Sequence, residues 1–230
     1  MVRRLVLCLL TIPLALAWYG AMATHRPHLA AATPPAAGDM RLLIDTDRRT
    51  LTVLVDGEPW RTLPCAVGKT LTRTPVGEWT IVDKSTDWGG GFGTRWLGLN
   101  VPWGIYGIHG TNKPSTIGTA ASAGCIRMQN RDVEWLYSVA KIGTRVTVVG
   151  TRQKVAVQRP LRRGQTGKEV LELQFALRHA GFPIDPVDGR FGSQTEQAVK
   201  AVQDLYGLPT TGRADKNVLS LLGLLQAHGK

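Results

Sequence analysis

The apolar residues of this chain change period once, near residue 150, and that change divides what it can fold into. Before it, short runs rich in Val, Ile, Leu, Thr and Trp fall at 41–45, 50–55, 60–67, 77–84, 96–101, 106–109 and 145–149. Turn chemistry separates them, at 45–49, at Asp56-Gly57 and at Thr74-Pro75-Val76-Gly77. Strands this short and this dense predict a mainly β domain, sandwich- or barrel-like, rather than a βαβ sheet. One short helix is expected among them at 130–140, where Val133, Leu136, Tyr137 and Ala140 fall at i, i+3, i+4 and i+7.

Beyond Pro160 the spacing is helical. Val170, Leu173, Leu177 and Ala180 line one face of a helix that Gly181 ends. Ser193 with Glu196 reads as a capping box opening a second helix, with Ala198, Val199, Val202 and Leu205 facing inward. A third helix is expected over 215–225. The result is a small all-α three-helix unit with a modest core and no room for a deep catalytic pocket, which suits a binding module.

The first residues speak to compartment. Arg3 and Arg4 precede an apolar stretch, and Ala21-Met22-Ala23 has the small residues of a cleavage site, so 1–23 reads as an export signal or, if uncleaved, an N-terminal membrane anchor. Residues 24–38 are Ala- and Pro-rich and read as a tether. The remaining division is 39–150 for the β domain, 151–160 for a basic linker and 161–226 for the helical unit. The expected location is the periplasm or cell wall. With 28 Lys and Arg against 17 Asp and Glu the formal charge is +11; losing Arg3 and Arg4 with the signal leaves 26 against 17, or +9. The partner is therefore polyanionic or carboxylate-bearing. Nucleic acid is disfavoured by the export signal and by the lack of any helix-turn-helix or RNA-binding signature.

Three cysteines, Cys8, Cys65 and Cys125, make neither a disulfide framework nor a paired zinc motif. Cys8 sits in the export segment, and Cys65 lies in a strand-like run where a small buried hydrophobe is expected. His25 and His28 lack further ligands at hand, so no metal is expected.

The chemistry concentrates in 106–128, YGIHGTNKPSTIGTAASAGCIRM. Cys125 follows Ala123-Gly124 and precedes the predicted helix, a setting for an activated thiol, and His109 ends a strand sixteen residues earlier. From residue types alone, a nucleophile with its base and an ordinary buried pair both remain open.

The string His109-Gly110-Thr111, Ile117-Gly118 and Ser122-Ala123-Gly124-Cys125-Ile126-Arg127-Met128 resembles the signature of the YkuD-type L,D-transpeptidases, and Thr74-Pro75-Val76-Gly77-Glu78-Trp79 is similar to a turn of that family. Leu161, Gly164, Gly167, Leu173-Gln174, Gly181 and Asp188-Gly189-Arg190-Phe191-Gly192 resemble the type 1 peptidoglycan-binding domain. The first resemblance implies that Cys125 attacks the third-residue carbonyl of a tetrapeptide stem and expels D-alanine. The thioester then passes to a side-chain amine of a neighbouring stem. It implies His109 as general base, the Gly124 backbone N–H as oxyanion donor and Ser122 as a residue that orients the turn. Arg127, Gly110, Thr111 and Trp96 are the implied substrate-binding residues, with an internal salt bridge the alternative for Arg127. No metal or organic cofactor is implied. The partners are stem peptides and glycan of peptidoglycan, and a monomer is expected; the charge of Arg162, Arg163 and the basic connector also admits contact with anionic wall polymers, with a solvated linker the default reading.

Two departures stand out. Ala123 occupies a position where the family usually has His, and Val202 one where the binding domain commonly has Phe. Water or a wall protein as acceptor, or wall binding without catalysis, are the alternative functions. The aromatic cluster Trp88, Phe92, Trp96 and Trp103 serves either a cleft or the core, and His179 reads as a surface residue near a helix C-terminus.

Overall fold

The computed structural model describes residues 38–86 and 88–225. The export segment, nearly all of the tether, Cys8, His25, His28 and His228 lie outside the described residues.

Ten strands form the β part: β1 (Met40–Asp45), β2 (Thr50–Val55), β3 (Glu58–Pro64), β4 (Val67–Gly68), β5 (Gly77–Thr86), β6 (Arg95–Leu99), β7 (Tyr106–His109), β8 (Ala120–Ser122), β9 (Ile126–Arg127) and β10 (Arg145–Val149). Eight of them join in the order β3-β2-β1-β10-β5-β6-β7-β9, and β4 pairs with β8. Two pairings in the large sheet are parallel, β1 with β10 and β7 with β9. The others are antiparallel.

Alternation explains which face is buried. Successive strand side chains point to opposite faces, and Leu42 and Ile44 in β1, Leu51 and Val53 in β2, Ile81 in β5 and Val146 in β10 are all fully buried. Each such side chain contributes roughly 1.5–3 kcal/mol through burial. The helix α1 (Asn130–Val139) lies against β6 and β7, with Val133 and Leu136 buried.

The expected strand 60–67 is interrupted. β3 ends at Pro64, whose ring carries no N–H for further pairing, and the chain then turns toward β9. Ala66 exchanges two backbone hydrogen bonds with Arg127, both at 2.8 Å. β8 and β9 have only three and two residues, too few to show a period in the sequence.

The helical part holds α2 (Lys168–His179), α3 (Ser193–Leu205) and α4 (Lys216–Leu221). Two buried glutamines tie its loops. The Gln174 carbonyl oxygen accepts the N–H groups of Asp188 (3.0 Å) and Gly189 (2.7 Å), and its amide donates to Arg190 O at 3.0 Å. Gln203 repeats the device one helix later, accepting from Gly212 N–H at 2.8 Å and donating to Arg213 O at 3.0 Å. Gly189 and Gly212 both have positive φ, 71° and 69°, so the two loops share one backbone form.

Three sequence expectations fail here. The capping box does not form: Gly192 is the N-cap without a side-chain bond, and Glu196 instead pairs with Arg163 (3.3 Å) and Lys200 (3.1 Å). Leu205 is 69% exposed and Ala180 is exposed, because each lies at a helix end beyond the packed turns. The third helix stops at Leu221, and its Asp215 cap accepts from Asn217 and Val218 N–H.

The helical part packs on the sheet through specific polar bonds. Glu78 in β5 accepts both guanidinium nitrogens of Arg178 in α2, at 2.6 and 2.9 Å, and the Val187 N–H at 2.9 Å. Arg190 donates to Asn100 O at 2.7 Å. Gly189 sits so close to the Trp103 ring that a Cβ there would approach it to 2.6 Å.

Candidate functional site

The parallel pair β7–β9 assembles the site. Its register sets Ile108 beside Ile126 and His109 beside Arg127. Ile108 and Ile126 are fully buried in the core, so the pleat turns Gly107, His109, Cys125 and Arg127 to the opposite face. Cys125 immediately precedes β9, two residues before Arg127, the register partner of His109. Arg127 flanks both.

Cys125 sits on a turn held from inside. The Ser122 hydroxyl donates to Cys125 O at 2.6 Å and accepts the Gly124 N–H at 3.0 Å. Gly124 has φ 125°, and a Cβ there would stand 2.7 Å from the Tyr106 ring. No side chain is tolerated at that point without displacing the ring. The Gly124 N–H, the expected oxyanion donor, is bonded to the Ser122 hydroxyl in this structure. The N–H groups of Ala123 and Cys125 are not used within the turn.

The sulfur of Cys125 lies 3.9 Å from Ile105 O. Burial raises its pKa, while the Gly107 N–H and the Arg127 guanidinium partly offset that rise. His109 is 2% exposed, packed against Phe92 and Trp96 with ring centroids at 4.9 and 5.7 Å. Burial pushes its pKa down to about 4; Arg127 adds to the fall, and the carbonyls of Gly110 and Phe92 oppose it. Thiol and imidazole therefore rest as a neutral pair rather than as thiolate and imidazolium. Nδ1 of His109 lies 2.6 Å from Gly110 O. A carbonyl only accepts, so Nδ1 carries the proton and Nε2 is the basic nitrogen.

The remaining expected substrate contacts are placed differently. Trp96 is 1% exposed, with its indole N–H donated to Asp83 at 2.9 Å, so it offers no surface to a ligand and instead braces His109. Gly107 makes room for this, since a Cβ there would meet the Trp96 ring at 2.6 Å. Gly110 and Thr111 are buried, and Thr111 spends its N–H on Asn130 at 3.0 Å and its hydroxyl on Lys113 N–H at 3.0 Å. Arg127 forms no salt bridge among the described residues, and its Nε is buried without a hydrogen-bond partner. The internal ion pair expected as its alternative is not formed among the described residues. The aromatic cluster divides: Trp88 stacks on Trp96 at 4.1 Å, whereas Trp103 packs edge-on against Trp79 at 5.5 Å, far from that stack in its partners.

Sequence reasoning missed Tyr106 and Gly107 as site residues, and left Phe92 open between cleft and core. The alternation of 106–109 against Ile108 was the available signal for Gly107. Cys65 is fully buried and unpaired, with burial pushing its thiol up to about 12. A cleft of about 260 Å³ borders the Cys125 turn, running from Ala123 and Tyr106 to Lys168 and Leu171 of α2.

Comparison with known proteins adds the following. Residues 39–148 match the L,D-transpeptidase catalytic domain (YkuD), and residues 166–222 match the "Putative peptidoglycan binding domain". "Putative L,D-transpeptidase YqjB" of Bacillus subtilis is 33% identical over 129 residues, covering 50% of this chain and 73% of the relative. "Putative L,D-transpeptidase YkuD" of the same organism is 47% identical over 107 residues, covering 46% of this chain and 64% of the relative. The chain thus spans somewhat under two thirds of that relative's length. Among solved structures, L,D-transpeptidase 3 from Mycobacterium tuberculosis aligns with TM-score 0.45 and 18% identity, over 50% of this chain and 62% of that one.

Proposed function

The chain belongs to the YkuD family of L,D-transpeptidases, and on that premise we propose that it cross-links peptidoglycan stems through a thioester on Cys125. The observation that carries this reading is the parallel pairing of β7 with β9, which sets His109 beside Arg127 two residues after Cys125, with burial favouring the neutral forms of both thiol and imidazole.

The sequence of steps follows from that resting state. Because the thiol is not ionised beforehand, His109 Nε2 takes its proton as sulfur attacks the third-residue carbonyl of the donor stem. The Gly110 carbonyl holds the Nδ1–H throughout, which fixes the ring orientation. Negative charge on the tetrahedral oxygen is met by the Ala123 and Cys125 N–H groups, with Arg127 as the adjacent unpaired cation. Imidazolium then returns its proton to the leaving nitrogen, the C–N bond breaks and D-alanine departs. In the second half His109 accepts a proton from the acceptor amine, which attacks the thioester carbon, and sulfur leaves as the thiol. Water in place of the amine gives an L,D-carboxypeptidase outcome.

Ala123 does not disturb this scheme. Its side chain is exposed, and the turn is held by Ser122, Gly124 and Cys125 without it. The helical part supplies affinity for glycan or stem, which implies a wall-facing location and export of the chain. The deciding experiment is intact mass spectrometry after incubation with a disaccharide-tetrapeptide. An adduct on the parent protein and none on Cys125→Ala is the expected result; no adduct on folded, reduced parent protein refutes the reading.

A further inference from the structure

Two stems have to meet at one sulfur, and the two sides of Cys125 differ. On the C-terminal side stands Arg127, within the site itself. On the N-terminal side, Ala123 lines a cleft whose walls also include Lys168 and Leu171 of α2. This cleft has walls from both parts of the chain: Thr72, Arg73 and Tyr106 from the β part, Arg152 from the connector, and Lys168 and Glu172 from the helical part. Its position is fixed by the bonds that join the parts, since Glu172 pairs with Arg152 and accepts the Val155 N–H at 3.3 Å.

Its charge is unbalanced. Glu172 is the one acidic side chain lining the cleft, and Arg152 already engages it. Arg73 donates to a neutral acceptor, Thr151 O, at 3.1 Å. Lys168 takes part in no ion pair among the described residues. Two cations, one from each part of the chain, therefore lack carboxylate partners among the described residues, in a cleft that also includes Leu71, 95% accessible. Such a groove selects a peptide that carries free carboxylate and some apolar surface.

Resting on the transpeptidase reading above, we propose that this cleft is the binding site for the acceptor stem, with Lys168 of the helical part and Arg73 of the β part holding its carboxylates. The helical part is then a wall of the active site as well as a wall-binding module. The position of Ala123 favours this: its small, exposed side chain lines the cleft two residues from Cys125.

The test uses full-length protein with Arg73→Glu and Lys168→Glu, and Lys216→Glu on α4 as the control. Donor acylation is read by adduct mass and D-alanine release, and acceptor use by the rate of dimer formation against acceptor concentration. Expected are unchanged acylation and an acceptor KM raised about tenfold or more in each cleft variant, with none in the control. Unchanged acceptor KM with normal acylation overturns the proposal, and so does a loss of donor acylation with acceptor KM unaltered, which would make the cleft a donor site. Absence of any acyl-enzyme in the parent protein refutes the transpeptidase reading instead. Circular dichroism and thermal unfolding confirm that each variant is folded.

Discussion

The Ser122 hydroxyl donates to the Cys125 carbonyl at 2.6 Å while accepting the N–H of Gly124 between them at 3.0 Å, so one small side chain closes the turn on which the nucleophile stands. Removing it leaves two backbone groups without partners in a poorly hydrated position. Ser122→Ala is expected to cost about 1–3 kcal/mol and to slow acylation by more than the fall in stability explains, because the sulfur is no longer held. Thermal unfolding and single-turnover acylation check this. A variant that unfolds early yet acylates at the parent rate would show that the hydroxyl serves stability alone.

His109 sets the pH range of the reaction. Its pKa in the folded protein is about 4, against 6.5 for a free imidazole. Below pH 4 the ring is protonated and cannot accept the thiol proton, so the acidic limb of kcat/KM for acylation should bend near 4 and leave the rate flat through 6.5. The same depression affects stability with a definite sign. A folded-state pKa below the unfolded one makes the contribution complete above pH 6.5 and lost as pH falls toward 4. An acylation profile with its bend at 6.5 would mean that His109 is not buried as a neutral ring.

Burial separates the two described cysteines. Cys65 is inaccessible, with its thiol pushed up to about 12, whereas Cys125 is partly exposed and flanked by Arg127. Iodoacetamide at pH 8 should modify Cys125 and spare Cys65 in the folded protein, and modify both in denaturant. Peptide mapping distinguishes the sites. Native labelling of Cys65 would contradict its place in the core.

Much of this was legible in the chain. Thr50–Val55, Tyr106–His109 and Arg145–Val149 form as strands over the residues their patterns predict, because each carries β-branched or aromatic residues between turns. Cys125 and His109 were also legible as candidates, through residue type and the neighbouring glycines. Their shared face was not, since it depends on β9, a two-residue strand whose pairing is set by long-range contacts with β7 and Ala66. For the same reason Trp96 was read as a ligand contact: its packing on His109 requires Gly107 on the adjacent strand. The Ser193–Glu196 pattern misled because Arg163 and Lys200 draw the glutamate away from the helix start.

The join between the two parts should depend on the charge of Glu78. Burial works against that charge, yet hydrogen bonds from Arg178 and from the Val187 N–H outweigh it and hold the carboxyl below its ordinary value of 4.5. A depressed carboxylate pKa gives a contribution present above 4.5 and lost as pH falls through the folded-state value. Glu78→Ala also removes the acceptor for the Val187 N–H and for both nitrogens of Arg178, which at a partly exposed site is expected to cost about 1–3 kcal/mol at pH 7. Glu78→Gln keeps the shape and one acceptor, so it should cost less. Thermal unfolding of parent and variants at pH 7 and pH 3 makes the comparison, and the penalty of Glu78→Ala should shrink at the lower pH as the parent carboxyl gains its proton. An equal penalty at both would mean that the carboxyl's charge contributes nothing to the join and that its hydrogen bonds and packing carry the effect. If the join loosens as expected, the cleft it positions should lose acceptor affinity while donor acylation at Cys125 is retained.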